Sequence, residues 1–172
     1  IPDNQGRDNS ASKTLNDVIK NAKRDLSALF NTQSGEFFMG ESGTELLFRL
    51  IRNAVVASPS GGSVVGTSLE HPASRSAAKK WSNEMDYTYL SVPHSVETGT
   101  VNPKNYADKI SDTTRVVTIV HASPVTGMGT KIKEISKIVR QKAPLAFIIV
   151  DGIQHAAHGG IDIESYDIDG YV

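Results

Sequence analysis

The stretch Leu145–Gly160, LAFIIVDGIQHAAHGG, constrains this chain more than any other. Six apolar residues, Leu145 to Val150, stop abruptly at an acid, Asp151. Gln154 follows three residues later, and His155 and His158 stand four and seven residues later. An unbroken apolar run of this length reads as a strand buried on both faces. Asp151 then sits where the strand leaves the sheet. In open α/β sheets that carboxyl end is where ligands bind. Asp is also a favoured helix N-cap, and a short helix is expected to follow. Position alone leaves cap and ligand group equally open.

Length and composition narrow the surroundings. The chain has 172 residues, enough for one domain with a real core. A formal net charge of −1 with no block of like charge gives no footprint for nucleic acid or an anionic membrane. There is no cysteine, so these residues make no disulfide and no thiolate metal site. No apolar stretch approaches the roughly 20 residues of a membrane span, and no basic segment leads into an apolar one at the start. The default location is cytoplasmic. The chain begins Ile1-Pro2-Asp3 without an initiator methionine and stops at Tyr171-Val172 inside an apparent strand, 168–172. The expectation is a single partial domain, cut at both ends.

Residues 1–12 are polar and read as irregular. Thr14-x-x-Asp17 resembles a capping box, and Leu15, Val18, Ile19, Ala22, Leu26, Leu29 and Phe30 follow at helical spacing. Ser42-x-x-Glu45 is a second capping box, with Leu46, Leu47, Leu50, Ile51, Ala54 and Val55 as the apolar face of its helix. A strand is expected over 64–69. Pro72 then suits the first position of a helix reaching Glu84. Further strands are expected over 87–92 and 115–120, a short helix opening at Asn102-Pro103, and a longer one over 131–142 that Pro144 blocks. Strands alternate with helices at a spacing that fits crossover units and a mostly parallel sheet.

Three strand ends carry polar groups: Glu70-His71, His121 to Gly127, and Asp151 to His158. A parallel sheet would bring all three to one edge. The glycine-flanked helix start Gly43-Thr44 could add a phosphate cradle of backbone N–H groups and a hydroxyl, although Ser-Gly-Thr-Glu alone is more often a plain cap. His71 by itself reads as a polar loop residue; an imidazole there could also lie flat on an aromatic cofactor ring. His155-x-x-His158 with Asp151 invites a metal reading, but the helical zinc motif has its histidines four apart with a glutamate between them. No nucleophile elbow G-x-S-x-G and no G-x-G-x-x-G occurs, which argues against a serine hydrolase and a Rossmann dinucleotide site.

Five segments in order resemble the class V aminotransferases, fold-type I pyridoxal-phosphate enzymes that include the cysteine desulfurases. They are Ser42-Gly43-Thr44-Glu45, Glu70-His71-Pro72-Ala73, Glu97-Thr98-Gly99, His121 to Gly127, and Val150-Asp151-Gly152-x-Gln154-x-x-x-His158. The match runs from about residue 35 to 172. The resemblance implies a three-layer αβα fold with a mostly parallel sheet, part of the large domain of such an enzyme. It implies pyridoxal 5′-phosphate (PLP) as cofactor. Ser42, Gly43 and Thr44 would belong to the phosphate site, His71 would stack on the ring, Asp151 would pair with the pyridine nitrogen, and Gln154 would bond the ring's phenolic oxygen. His158 matches a histidine common in the family, and the resemblance implies packing of the short helix as its role.

Two departures stand out. Pro124 occupies the position after the serine of His121-x-Ser123 where desulfurases carry Asn, which removes one ring-oxygen contact and brings epimerase-like and aminotransferase-like branches nearer. The family also needs a lysine that forms a Schiff base with the cofactor, and the last lysine here is Lys142. Asp169-Gly170-Tyr171-Val172 resembles the start of the strand that precedes that lysine, so the lysine is expected beyond these residues, and no catalytic residue is assigned within them. The resemblance implies an intact protein acting at the α-carbon of a small amino-acid substrate, as transferase or lyase and as a homodimer, with the isolated 172 residues inactive. The alternative is a non-catalytic doubly wound α/β module that binds a phosphorylated small molecule.

Overall fold

A computed structural model of the chain describes residues 4–172. Its elements run in the order α1 (Ser10–Leu29), α2 (Gly43–Ala57), β1 (Ser63–Thr67), α3 (Pro72–Glu84), β2 (Thr88–Val92), α4 (Pro103–Ala107), β3 (Thr114–Val120), α5 (Ile132–Lys142), β4 (Phe147–Asp151), α6 (Ile163–Tyr166) and β5 (Gly170–Tyr171). Two compact units result: the residues up to Phe38 with Gly160–Glu164, and Met39–Gly159 with Ser165–Val172.

In the first unit, α1 starts earlier than its sequence suggested. The Asn9 side chain accepts the Ser12 N–H at 2.9 Å, so the polar residues after Asn9 are the first turn of the helix rather than irregular chain. Residues 1–3 of the expected irregular segment lie outside the described residues. Thr14 caps nothing and instead donates to the Ser10 carbonyl. Asn31, in the left-handed conformation (φ 44°), ends the helix. The Glu164 carboxylate then gathers the Gln33 N–H at 2.6 Å and the Thr32 hydroxyl at 3.1 Å, bonds that hold it below the usual carboxylate range.

The second unit carries the sheet. All pairings are parallel, in the order β2-β1-β3-β4-β5. Valine and isoleucine dominate β3 and β4 and form the middle of β1, and their side chains alternate between two cores. Val64, Val116 and Ile149 face α2 and α3, with Leu47, Ile51, Ala77 and Ala78. Val65, Val117, Ile119, Ile148 and Val150 face α4 and α5, with Tyr106, Ile132, Ile135 and Val139. Helices thus cover both faces, which is the expected three-layer αβα arrangement.

Two boundaries differ at the strand that opened the argument. Leu145 is 89 % exposed and Phe147 37 % exposed, so only Ile148–Asp151 are buried on both faces. The turn after Pro144 brings Leu145 to the surface before the chain enters the sheet. No α-helix starts directly at Asp151. The segment makes helical turns, with Ala156 N–H on the Gly152 carbonyl at 2.8 Å and Gly159 N–H on the His155 carbonyl at 3.2 Å, without forming a continuous helix.

Candidate functional site

Order in the sheet reverses between β1 and β3: β1 runs out to β2 on one side, and β3, β4 and β5 follow on the other. This is the switch point at which open α/β sheets bind ligands, outside the carboxyl ends of the strands. The three polar strand ends do meet at this edge. A cavity of about 240 Å³ is lined there by Gly43, Thr44, His71, Val120, Ala122, Pro124, Asp151, Ile153 and Gln154. A larger cavity of about 440 Å³ opens on the α5 side among His121, Lys131, Lys137 and Tyr166. It holds no buried acid and none of the cradle residues, all of which line the smaller one.

Asp151 is the floor group. It is 5 % exposed. Its Oδ1 accepts the Ile153 N–H at 3.3 Å, and no hydrogen bond within the described chain is made to Oδ2. Burial raises its carboxyl above the usual range, while that N–H bond and the charge of His71 pull the other way. This bond belongs to a tight turn rather than to the cap of an α-helix. Asp151 closes a tight turn with one oxygen and offers the other to the cavity.

Opposite stands the start of α2. Ser42 accepts the Glu45 N–H on its hydroxyl at 3.2 Å and the Leu46 N–H on its carbonyl at 3.0 Å. Those two bonds leave the first-turn N–H groups of Gly43 and Thr44 for an anion. Ser42 itself does not line the cavity, so its hydroxyl serves the helix. A Cβ at Gly43 would meet the end of the exposed Ile153 side chain, which would have to turn aside. His71 caps α3, with its Nδ1 accepting the Ala73 N–H at 3.2 Å. In the neutral ring the proton then sits on Nε2, and the ring plane is set by the cap. Gln154 is exposed at the rim, with Nε2 3.5 Å from Nε2 of His158.

Three residues given no cofactor role from the sequence, His121, His155 and Tyr171, meet beside this floor. His121 is 6 % exposed. Its ring stacks on His155, with centroids 3.6 Å apart, and its Nδ1 lies 2.8 Å from the Tyr171 hydroxyl. Burial, helped by His155, pushes its pKa down to about 4, so the ring is neutral. Tyr171 in turn lies over Gly152, where any Cβ would overlap the ring. The His155-x-x-His158 pair thus diverges, one ring onto His121 and the other toward Gln154.

Donor set and geometry suit a planar, phosphorylated cation: N–H groups at a helix start, a buried carboxyl with one open oxygen, and an imidazole with its plane fixed. A family model described as Aminotransferase class-V matches residues 4–172. The chain belongs to the class V aminotransferase family. Among its relatives, a cysteine desulfurase of Nostoc sp. is 28 % identical over 156 residues, which cover 90 % of this chain and 38 % of that protein. The cysteine desulfurase-like protein ustD of Aspergillus flavus is 29 % identical over 155 residues, covering 87 % of this chain and 35 % of ustD. Of solved structures, a NifS-like protein superposes with a TM-score of 0.88 at 19 % identity, over 98 % of this chain and 47 % of that one. A C-DES mutant with glycine covalently linked to its PLP cofactor superposes with a TM-score of 0.80 at 19 % identity, over 98 % of this chain and 44 % of that one. These superpositions establish the fold. The class V chain described here spans about 38 % of the length of the first relative.

Proposed function

We propose that this chain is the PLP-binding part of a class V enzyme acting at the α-carbon of a small amino acid, as aminotransferase or as cysteine desulfurase-like lyase. One observation carries the reading: the buried Asp151 carboxyl keeps an open oxygen in the cavity that the Gly43–Thr44 helix start and His71 share. When bound, PLP would supply an electron-withdrawing ring for carbanion chemistry at the substrate. The chain's own part is binding and proton control. Gly43 and Thr44 would hold the phosphate on their N–H groups, and His71 would lie against the ring. Asp151 would hold a proton on the pyridine nitrogen, and this bond would relieve the desolvation of its own carboxylate. Gln154 would donate to the ring's phenolic oxygen. Pro124 lines the cavity without a side-chain donor, so Gln154 would carry that contact alone.

No lysine lines the cavity. We therefore assign cofactor binding to these residues and turnover to the intact protein, which we propose to be a cytoplasmic homodimer. Among the described residues no helix is long and apolar enough to cross a membrane. The test uses pyridoxamine 5′-phosphate, which needs no covalent anchor. The chain is expected to bind it, with the affinity falling about 10- to 100-fold in Asp151→Asn, the loss of a charge-assisted bond of about 1.5–3 kcal/mol. Equal binding of pyridoxal 5′-phosphate and of a non-pyridine phosphate such as glycerol phosphate, both insensitive to Asp151→Asn, would favour the simple phosphate-binding module instead.

A further inference from the structure

Glu70 is the most enclosed acid near the cavity, and nothing in the cofactor reading uses it. It lies just past β1 and directly before His71, with 3 % of its surface exposed. Its Oε2 is 2.6 Å from the Ser74 hydroxyl on the first turn of α3, and its Oε1 is 3.4 Å from the Thr67 hydroxyl at the end of β1. Thr67 Oγ1 accepts the Leu69 N–H at 3.2 Å, so its own proton is free for Glu70. The titratable groups facing Glu70 are Asp151 from β4, Tyr89 from β2 and Tyr106 from α4, and none of them is a cation.

An apolar side chain of similar size would fill this space without the cost of desolvating an acid. What an acid or amide adds is a bond at each end of the β1–α3 turn. Between the two anchors, Thr67 and Ser74, stands His71. That residue is exposed, and its ring has only the Ala73 N–H as a hydrogen-bond partner. The turn that carries the imidazole is therefore held from beneath by Glu70.

We propose that Glu70 is a positioning residue: its carboxyl, bonded to Thr67 and Ser74, clamps the β1–α3 turn and so holds the His71 imidazole at the mouth of the cavity. The proposal rests on the cofactor reading above. Its function is the bond and not the charge, so an amide should serve as well as an acid.

The test titrates the chain with pyridoxamine 5′-phosphate and follows the NMR signal of the His71 ring Cε1–H, which an aromatic ring lying against it shifts upfield. Three variants are compared by far-UV circular dichroism before titration: Glu70→Gln, Glu70→Leu and Ser74→Ala. Glu70→Gln is expected to bind within about twofold of wild type and to keep the upfield shift. Glu70→Leu and Ser74→Ala are expected to bind about tenfold more weakly and to lose most of it. If Glu70→Leu does not fold, Ser74→Ala carries the same test. Native-like folding of either variant with wild-type affinity and an unchanged His71 shift overturns the proposal. So does an equal loss in Glu70→Gln, which would make the charge the active feature. If the wild-type chain binds no pyridoxamine 5′-phosphate, the cofactor reading falls and this proposal falls with it; wild-type binding with indifferent variants sinks the proposal alone.

Discussion

Replacing Glu70 by Gln should stabilise the chain at neutral pH, and by an amount that grows with pH. The Glu70 carboxyl is fully buried, has no cation beside it and stands near Asp151; burial first and the Asp151 charge second raise its pKa from 4.5 to about 7. In the unfolded chain it ionises near its ordinary value, so between the two values the unfolded state binds fewer protons than the folded one. Stability therefore falls as pH rises through this window. At about 1.4 kcal/mol for each tenfold change in proton affinity, the full cost is about 3 kcal/mol above pH 7 and about 1 kcal/mol at pH 5. The amide keeps partners for Ser74 and Thr67 but carries no charge. Urea unfolding of wild type and Glu70→Gln at pH 5 and pH 8 measures the effect directly. The advantage of the variant should grow by about 2 kcal/mol between the two, or about 1 M in midpoint at an ordinary urea slope. Taking the difference between the two proteins removes the titration of His121, which both share. An advantage constant to within about 0.5 kcal/mol would mean that Glu70 ionises freely in the fold, and the argument would fail.

Other outcomes follow from the same block of residues. His121, held at about 4 against an ordinary 6.5, should take up a proton on unfolding, so stability contributed by the neutral ring is present above 6.5 and lost as pH falls toward 4; a His121→Gln variant should show a flatter acid limb in the same urea series. Gly152→Ala forces the Tyr171 ring off its seat and breaks its bond to His121, which together should cost about 2–4 kcal/mol, whereas Tyr171→Phe should cost only about 1 kcal/mol. Equal costs for the two would show that the ring does not sit over Gly152. Asp169 accepts the Ile148 N–H and an Arg140 guanidinium N–H, both at 2.8 Å, so Asp169→Ala should cost about 1–3 kcal/mol and speed amide exchange at Ile148, while an unchanged exchange rate would deny the brace.

Much of the layered sheet was legible because its cause is local. Apolar runs bounded by turn residues, and helices marked by Ser42, Pro72 and Asn102, need only neighbours in sequence to form. The early start of α1 was missed because a polar first turn carries no apolar period, and the cap at Asn9 was the available signal. The exposed Leu145 shows the converse: an apolar run does not say which of its members the sheet will cover.

For the site, the residue types were written in the sequence and their relations were not. That Asp151, His71, Gly43 and Thr44 are candidates could be read from strand ends and a helix start. That they share one cavity depends on the strand order, which brings β1, β3 and β4 side by side although dozens of residues separate them. The stack of His155 on His121, the Tyr171 ring over Gly152 and the clamp from Glu70 to Ser74 are contacts between side chains, set by packing. Sequence alone thus determined which groups are present and which edge of a parallel sheet they occupy, since backbone alternation and apolar period decide both. Only the tertiary structure decided that Asp151 is buried, with one oxygen on its own turn and no hydrogen bond to the other among the described residues, because burial and hydrogen-bond partners exist only once distant strands have met.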